Sequence, residues 1–259
     1  LETSPFTCGK DGKHGWEFIY EWFKGANAYP IDNYVPEHSS AEKELGIFVG
    51  SGSSPSFKEN ISFMQTDDDI RFMIIALMIL EKNGADFSAR NVSDMWRQHL
   101  PVNLVFTAER RAYLNACAAE EIFDETAEKY EYIRMHQNPY REWIGAQIRI
   151  DVYAYAYAGN PQKASLLAYN DASLSHTKNG VYGAMFCAGM IAAAFTLNDV
   201  SEIVEAGLSV IPNNCRLYHA VKKACEIARG AADEIDLVRK INLEFSRYHH
   251  IHTINNAAL

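Results

Sequence analysis

An apolar segment preceded by three aspartates constrains the fold of this chain more than any other part of its sequence. Residues 70–80 are all apolar except Arg71, and Asp67, Asp68 and Asp69 come directly before them. Such a segment needs a large hydrophobic core, whereas adjacent carboxylates repel one another and are costly to bury without a partner. The sequence therefore predicts a helix that is buried on most sides and whose first turn has a compensating partner.

Signals for the start and the end of helices recur from Thr66 onward. The apolar segment stops at Gly84, a residue favoured just after a helix end, and Asn160 followed by Pro161 has the pattern of a helix start. Residues 152–158, VYAYAYA, alternate as a strand would, but their neighbours favour a helix, and we assign a helix there. The sequence predicts an all-α fold, a compact multi-helix domain without internal repeats.

One domain is expected for residues 1–259, because this length suits a single large domain. Residues 1–62 are rich in Gly, Pro and Ser and show little periodicity, so we expect a loop-rich N-terminal part followed by a helical core over residues 63–259. The sequence starts without Met and ends in an apolar run without a helix stop signal. We therefore expect the chain to be incomplete at both ends.

Composition argues against several classes of partner. The formal net charge is −9 and no basic run could neutralise phosphates, so we expect no nucleic-acid partner. The longest apolar runs are too short to span a bilayer, and we expect no membrane association. Five cysteines without a CxxC pair, and no recognisable signal peptide, indicate a reducing, cytoplasmic location. The sequence does not disclose the oligomeric state.

The acidic cluster has two interpretations on physical grounds. Thr66 is a suitable N-cap, Asp69 follows three residues later as in a capping box, and acids in a first turn interact favourably with the helix dipole. A hydroxyl with adjacent carboxylates is also a hard, oxygen-only ligand set, which suits Mg²⁺, Mn²⁺ or Ca²⁺ better than Zn²⁺. The residues alone leave capping and metal binding equally open.

Three stretches of the sequence resemble, in order, the motifs of one family. QTDDDI resembles the Thr-Asp-Asp metal motif of the ADP-ribosylglycohydrolase family, of the dinitrogenase-reductase-activating type. EWIGAQIRID resembles the substrate loop of that family, usually read as Gly-Ala-Met-Arg, with departures at Gln147 and Ile148. DASLSHTKNGVYGAMFCAGMIAAAF resembles its histidine-containing segment and the small-residue helix that follows. The likeness covers most of residues 15–259.

The resemblance implies a role for each matching residue. It implies Thr66, Asp67 and Asp68 as metal ligands. It implies Glu2, Asp67 and Asp68 as catalytic residues, with Glu2 as the general base. The residues that it implies for contacts with ADP-ribose are Gly145, Ala146, Gln147, Arg149 and His176. The implied cofactor is Mg²⁺ or Mn²⁺, with two ions in the complete family site.

The last metal ligands of the family site have no match in this sequence. The family supplies them from a late Asp-x-Asp motif, and Asp233 and Asp236 have a different spacing and context. A hydroxyl and two carboxylates should hold Mg²⁺ weakly, because this ion keeps its waters unless several carboxylates or phosphates replace them. We therefore expect residues 1–259 alone to have little or no ADP-ribosyl hydrolase activity.

The function that the resemblance implies is metal-dependent hydrolysis of the glycosidic bond that joins ADP-ribose to a protein side chain or a small molecule. ADP-ribose or an ADP-ribosylated substrate is then the expected partner. Two alternatives stay open. One is a glycohydrolase of the same fold that acts on another nucleoside or sugar conjugate. The other is a non-catalytic relative that binds ADP-ribose or has a structural role.

Two further groups of residues have structural interpretations. His249 and His252 share a helix face, but no third ligand follows with a recognisable spacing, so we expect them to satisfy backbone groups. The small residues along 180–192 indicate close helix packing, and the tyrosines of VYAYAYA indicate packing in the core or at its rim.

Overall fold

The computed structural model of the chain describes residues 15–46, 55–64 and 66–259. Regular structure within these residues is helical, which confirms the predicted all-α class. The α-helices, in chain order, are α1 (Gly15–Gly25), α2 (Ala41–Leu45), α3 (Asp68–Asn83), α4 (Ala89–His99), α5 (Thr107–Ile122), α6 (Ala127–Met135), α7 (Asp151–Ala156), α8 (Pro161–Ala172), α9 (Asn179–Ala194), α10 (Val200–Ser209), α11 (Arg216–Arg229), α12 (Glu234–Phe245) and α13 (Thr253–Ala258). Short 3-10 helices span Gly84–Asp86, Val102–Leu104 and Ile144–Arg149.

The described residues fall into two compact units that divide between Thr66 and Asp67. In the N-terminal unit, α1 packs against α2. Trp22 of α1 is buried, and its Nε1 donates a hydrogen bond to the Pro36 carbonyl at 3.1 Å. The second unit contains α3 to α13 and is the larger. The predicted single domain, with a loop-rich part over residues 1–62, stays a prediction.

Helix α3 buries one face rather than most of its sides. The buried face consists of Phe72, Ile75, Ala76 and Ile79. On the other face, Ile70 is 44% exposed, Ile74 54% and Leu77 49%. The prediction of a helix buried on most sides is therefore wrong. Only residues that recur with the helical period face the core, even where the whole segment is apolar.

Helix α9 takes part in both hydrophobic clusters of the second unit. Ala184, Ala188 and Ala192 of α9 belong to the larger cluster, which also contains the buried face of α3. Phe186 belongs to the other cluster, whose remaining members come mainly from α10 to α13. Helices α8 and α9 pack along each other. The predicted close packing of the small residues of α9 agrees with this arrangement, since alanines let neighbouring helices approach.

The stretch VYAYAYA is helical, as assigned from its neighbours, and most of it forms α7. Tyr153 is fully buried, and its ring stacks on Phe87 with a centroid distance of 5.2 Å. Tyr155 is exposed and makes an edge contact with Phe195. The alternating pattern thus marks a helix with one buried tyrosine. None of the described helices combines the length and the apolar character needed to cross a bilayer.

Candidate active site

The first turn of α3 is capped by Asp67 rather than by Thr66. Asp67 has an extended backbone, and its Oδ1 accepts a hydrogen bond from the Ile70 N–H at 3.0 Å. The prediction that Thr66 is the N-cap is therefore wrong by one residue, because the Asp67 carboxylate itself reaches the third N–H of the helix. Asp68 and Asp69 occupy the first turn, where the helix dipole favours negative charge.

Two substitutions distinguish the effect of the capping hydrogen bond of Asp67 from the effect of its negative charge. Asp67→Ala should lower the free energy of unfolding by ~1 kcal/mol, because the Ile70 N–H loses its acceptor. Asp67→Asn should cost much less, since asparagine caps helices about as well as aspartate. Denaturant unfolding of both variants measures the difference. Equal losses in the two variants would mean that the charge, rather than the cap, stabilises this turn.

A buried arginine organises the centre of the second unit. Arg149, at the end of the 3-10 helix Ile144–Arg149, is 1% exposed. Its Nε donates to Asp171 Oδ1, and its Nη1 donates to Glu109 Oε1 at 2.7 Å and to the Gly145 carbonyl at 3.3 Å. Its Nη2 donates to the Asp171 carbonyl at 3.3 Å and to Ser175 Oγ at 2.9 Å. These contacts use all five N–H donors of a guanidinium group.

This arrangement gives Arg149 a different role from the implied contact with substrate. A side chain with every donor engaged inside the protein has none to offer a ligand, so Arg149 supports the site from within. Its charged partners are Glu109 and Asp171. Asp171 also accepts a hydrogen bond from the Tyr153 hydroxyl at 2.9 Å.

Glu109 is the residue on which the site converges, and sequence reasoning missed it. It lies near the start of α5 and is 3% exposed. Burial raises the pKa of its carboxyl to about 7; the charge of Arg149 acts against the shift, and the charges of Asp68 and Asp171 add to it. The first turn of α3 is therefore within electrostatic range of this buried carboxylate.

The Glu109 carboxylate occupies the space where any other residue at position 145 would carry its side chain. A Cβ built on Gly145 would lie 2.5 Å from Cδ and from Oε2 of Glu109, and closer still to Oε1. Real Cβ contacts are essentially never this short. The backbone of Gly145 is therefore approached closely, and the group that approaches it is a protein carboxylate.

His176 is held in the same centre. Its Nδ1 lies 2.8 Å from Ser175 Oγ, and its Nε2 lies 3.7 Å from Glu109 Oε1. Ser175 Oγ also accepts a hydrogen bond from Arg149 Nη2, so the imidazole is linked to the guanidinium through this hydroxyl. Burial, together with the charge of Arg149, holds the pKa of His176 well below 6.5. The imidazole is therefore neutral at physiological pH.

The two remaining residues of the implied substrate loop face other parts of the fold. Ala146 is fully buried in the larger hydrophobic cluster. Gln147 packs against α9: its Nε2 donates to Cys187 Sγ at 3.5 Å, and its Oε1 would lie 2.8 Å from a Cβ added to Gly183. Gln147 Oε1 is also buried without a hydrogen-bond partner among the described residues. The geometry thus brings Gly145, but not Gln147, to Glu109.

The histidines near the end of the chain have structural roles. His252 caps α13, since its Nδ1 accepts a hydrogen bond from the Ile254 N–H at 3.1 Å. The ring of His249 stacks on Trp143 with a centroid distance of 5.0 Å and an interplanar angle of 6°. Both histidines lie between α12 and α13, so the predicted shared helix face is wrong. The expectation that they satisfy backbone groups agrees with the structure, since His249 Nδ1 also accepts a hydrogen bond from the Ile251 N–H at 3.3 Å.

The late acids Asp233 and Asp236 belong to a surface helix. Asp233 caps α12 by accepting from the Asp236 N–H at 2.8 Å, and Asp236 pairs with Lys240 at 2.6 Å. Within the described part of the chain, no group of three or more His, Cys, Asp or Glu side chains is placed to hold a metal ion. Glu2 lies outside the described residues. The convergence of Thr66 with Asp67 and Asp68 on one cation stays a prediction.

Fold and site together define an all-α protein in which an acidic helix start lies near a buried carboxylate–guanidinium centre and a neutral histidine. A comparison with models of protein families matches residues 22–259 to ADP-ribosylglycohydrolase. The chain therefore belongs to the ADP-ribosylglycohydrolase family, whose activity is that of glycohydrolases. Comparisons with curated proteins and with solved structures gave no match.

Proposed function

We propose that this chain is a hydrolase that cleaves the glycosidic bond between ADP-ribose and a protein side chain or a small molecule. The observation that carries the proposal is the meeting of distant parts of the chain around one carboxylate. Glu109 abuts Gly145 and pairs with Arg149. It also lies 3.7 Å from His176 and within electrostatic range of Asp68. Membership of the family supports the same reaction class.

The chemistry of the reaction assigns roles to the side chains. Glycosidic hydrolysis passes through an oxocarbenium-like state, which requires an activated water and negative charge near the sugar. In this proposal Asp67 and Asp68 supply the negative charge, and Glu2 is the general base that activates the water. Gly145 belongs to the loop that binds ADP-ribose, and His176, which is buried, supports that loop from within.

The metal that the resemblance implies fits the site only in part. Carboxylate oxygens of Asp67 and Asp68 have the right chemistry for Mg²⁺ or Mn²⁺. One oxygen of Asp67 is already engaged by the Ile70 N–H, however, and the described residues do not assemble a third acidic or imidazole ligand. The described residues therefore do not complete a metal site. We therefore assign the negative charge and the general base to side chains and route no step through a metal ion.

Because we expect residues 1–259 alone to release ADP-ribose only slowly, the proposal is tested by single-turnover release from an ADP-ribosylated protein with the chain in excess, together with ADP-ribose binding. Asp68→Asn should lower release by roughly tenfold or more, because negative charge near the sugar is lost while the helix is kept. The matched control is Asp233→Asn, which changes a helix-start acid on α12 and should leave release unchanged. A chelator should lower release by the wild-type chain if the aspartates act through a divalent ion.

Three results would change the conclusion. Equal release by wild type and Asp68→Asn would mean that the acidic cluster only stabilises the start of α3. Binding of ADP-ribose without any release would favour a non-catalytic relative. Release of a different sugar conjugate, without release of ADP-ribose, would favour a glycohydrolase of another specificity.

A further inference from the structure

Glu109 contacts the substrate loop from two sides at once. Its carboxylate fills the space above the Gly145 Cα, and the same Oε1 accepts from Arg149 Nη1 at 2.7 Å. That Nη1 also donates to the Gly145 carbonyl at 3.3 Å. Gly145 is thus held between a carboxylate packed on its Cα and a guanidinium bonded to its carbonyl.

The same pair also sets the orientation of His176. Arg149 Nη2 donates to Ser175 Oγ at 2.9 Å, and that oxygen lies 2.8 Å from His176 Nδ1. The other ring nitrogen, Nε2, is buried and lies 3.7 Å from Glu109 Oε1. A shift of the Glu109–Arg149 pair would therefore move the loop and the imidazole together.

Stability alone does not account for a carboxylate at this position. A buried ion pair often stabilises a fold no more than apolar side chains of similar volume do. Glu109 shares one cation with Asp171 and also faces the negative charge of Asp68, which makes its burial more costly still. The carboxylate does give a fixed geometry, because an ion pair with hydrogen bonds admits far fewer arrangements than an apolar contact.

We propose that Glu109 is a positioning residue, which sets Gly145 and His176 in their places relative to the acidic start of α3. The proposal rests on the proposed function, since the loop at Gly145 is the part to which we assign contact with ADP-ribose. Glu109 itself is buried beneath the loop and acts through Arg149 and the Gly145 backbone. It is a residue for which neither motif nor spacing provides a signal.

The steric half of the proposal is tested by a double-mutant cycle that needs no ligand. Gly145→Ala should lower the thermal midpoint of the wild-type chain clearly, because the new Cβ meets the Glu109 carboxylate. In the Glu109→Ala background the space is open, and Gly145→Ala should cause little further change. Additive effects of the two substitutions would overturn the steric contact.

The functional half is tested with Glu109→Gln, which keeps the shape of the side chain and removes its charge. We expect the dissociation constant for ADP-ribose, or KM for an ADP-ribosylated protein, to rise roughly tenfold or more. Both are measured at a temperature well below the thermal midpoint of the variant. Ile133→Val, a buried core change in α6, controls for a general loss of stability and should leave affinity unchanged. A parallel loss of affinity in Ile133→Val would mean that Glu109 is merely structural.

The outcomes separate this proposal from the proposed function. Wild-type affinity and turnover in Glu109→Gln overturn the positioning role and leave the proposed function standing. A wild-type chain that neither binds nor releases ADP-ribose overturns the proposed function and, with it, the assignment of Glu109 to ADP-ribose contacts. In that case, non-additive effects in the double-mutant cycle would still show that Glu109 contacts Gly145. Additive effects would rule out that contact too.

Discussion

Replacing Arg149 with alanine should destabilise the chain by about 3–5 kcal/mol, which is enough to unfold many domains of this kind. The substitution leaves the carboxylates of Glu109 and Asp171 buried without their cation. It also removes donors from the Gly145 carbonyl and from Ser175 Oγ. Denaturant unfolding followed by circular dichroism measures the loss.

Two further variants make this result interpretable. Arg149→Lys should recover only part of the stability, because an ammonium group cannot reproduce the fork of the guanidinium. Arg216→Ala is the matched control, since Arg216 pairs with Glu142 at 3.4 Å and its side chain is 59% exposed. It should cost at most about 1 kcal/mol. Equal losses in Arg149→Ala and Arg216→Ala would show that the buried ion pairs contribute no more to stability than an exposed pair does.

The wild-type chain and Glu109→Gln should differ in stability by an amount that depends on pH. The folded-state pKa of Glu109, about 7, is higher than the ordinary value of 4.5. The folded chain therefore binds more protons than the unfolded chain between these values. The stability that this group contributes is fully present below pH 4.5 and is lost as the pH rises through about 7. The change amounts to about 3 kcal/mol at ~1.4 kcal/mol per pKa unit.

His176 acts with the opposite sign, which is why a difference between variants is measured. Burial and the charge of Arg149 depress its pKa, so folding loses stability as the pH falls below the unfolded-state value of about 6.5. Both chains keep His176, and most of its contribution cancels. Unfolding curves of wild type and Glu109→Gln between pH 5 and pH 8 give the difference. A constant difference would mean that Glu109 stays ionised in the folded chain.

A surface acid provides the control for the pH experiment. Glu131 pairs with Arg134 at 2.8 Å, and its side chain is 58% exposed. Glu131→Gln should differ from wild type by less than about 1 kcal/mol across the same pH range, because water screens exposed charges. The contrast between Glu109 and Glu131 isolates the effect of burial.

Much of the fold could be predicted because its signals are local. Gly84 has φ +67° just beyond the end of α3, and Asn160 caps α8 with Pro161 in the first turn. Such signals depend on a few neighbouring residues. The exposure of Ile70 and Ile74 could not be predicted in the same way, because an apolar segment does not reveal which of its faces meets the core.

The candidate site was predicted only where the chain resembles a family motif. Gly145 and His176 come from such motifs, and both lie against Glu109; their contact with ADP-ribose stays a prediction. Glu109 and Asp171 were missed because their partner is Arg149, which is 40 and 22 residues away from them in the sequence. Nothing local distinguishes Glu109 from a helix-surface glutamate. Pairing across such distances is decided by tertiary packing.

The arrangement of one cation between two anions has a consequence for how sequences of this kind can diverge. Loss of Arg149 alone leaves the carboxylates of Glu109 and Asp171 buried without a cation. Loss of the Glu109 side chain alone leaves a cavity beside Gly145. Joint replacement of a buried ion group by apolar side chains is often neutral or stabilising. Viable sequences with and without the group are therefore separated by unstable single-step intermediates. We therefore expect the effects of substitutions within this charged centre to depend strongly on one another.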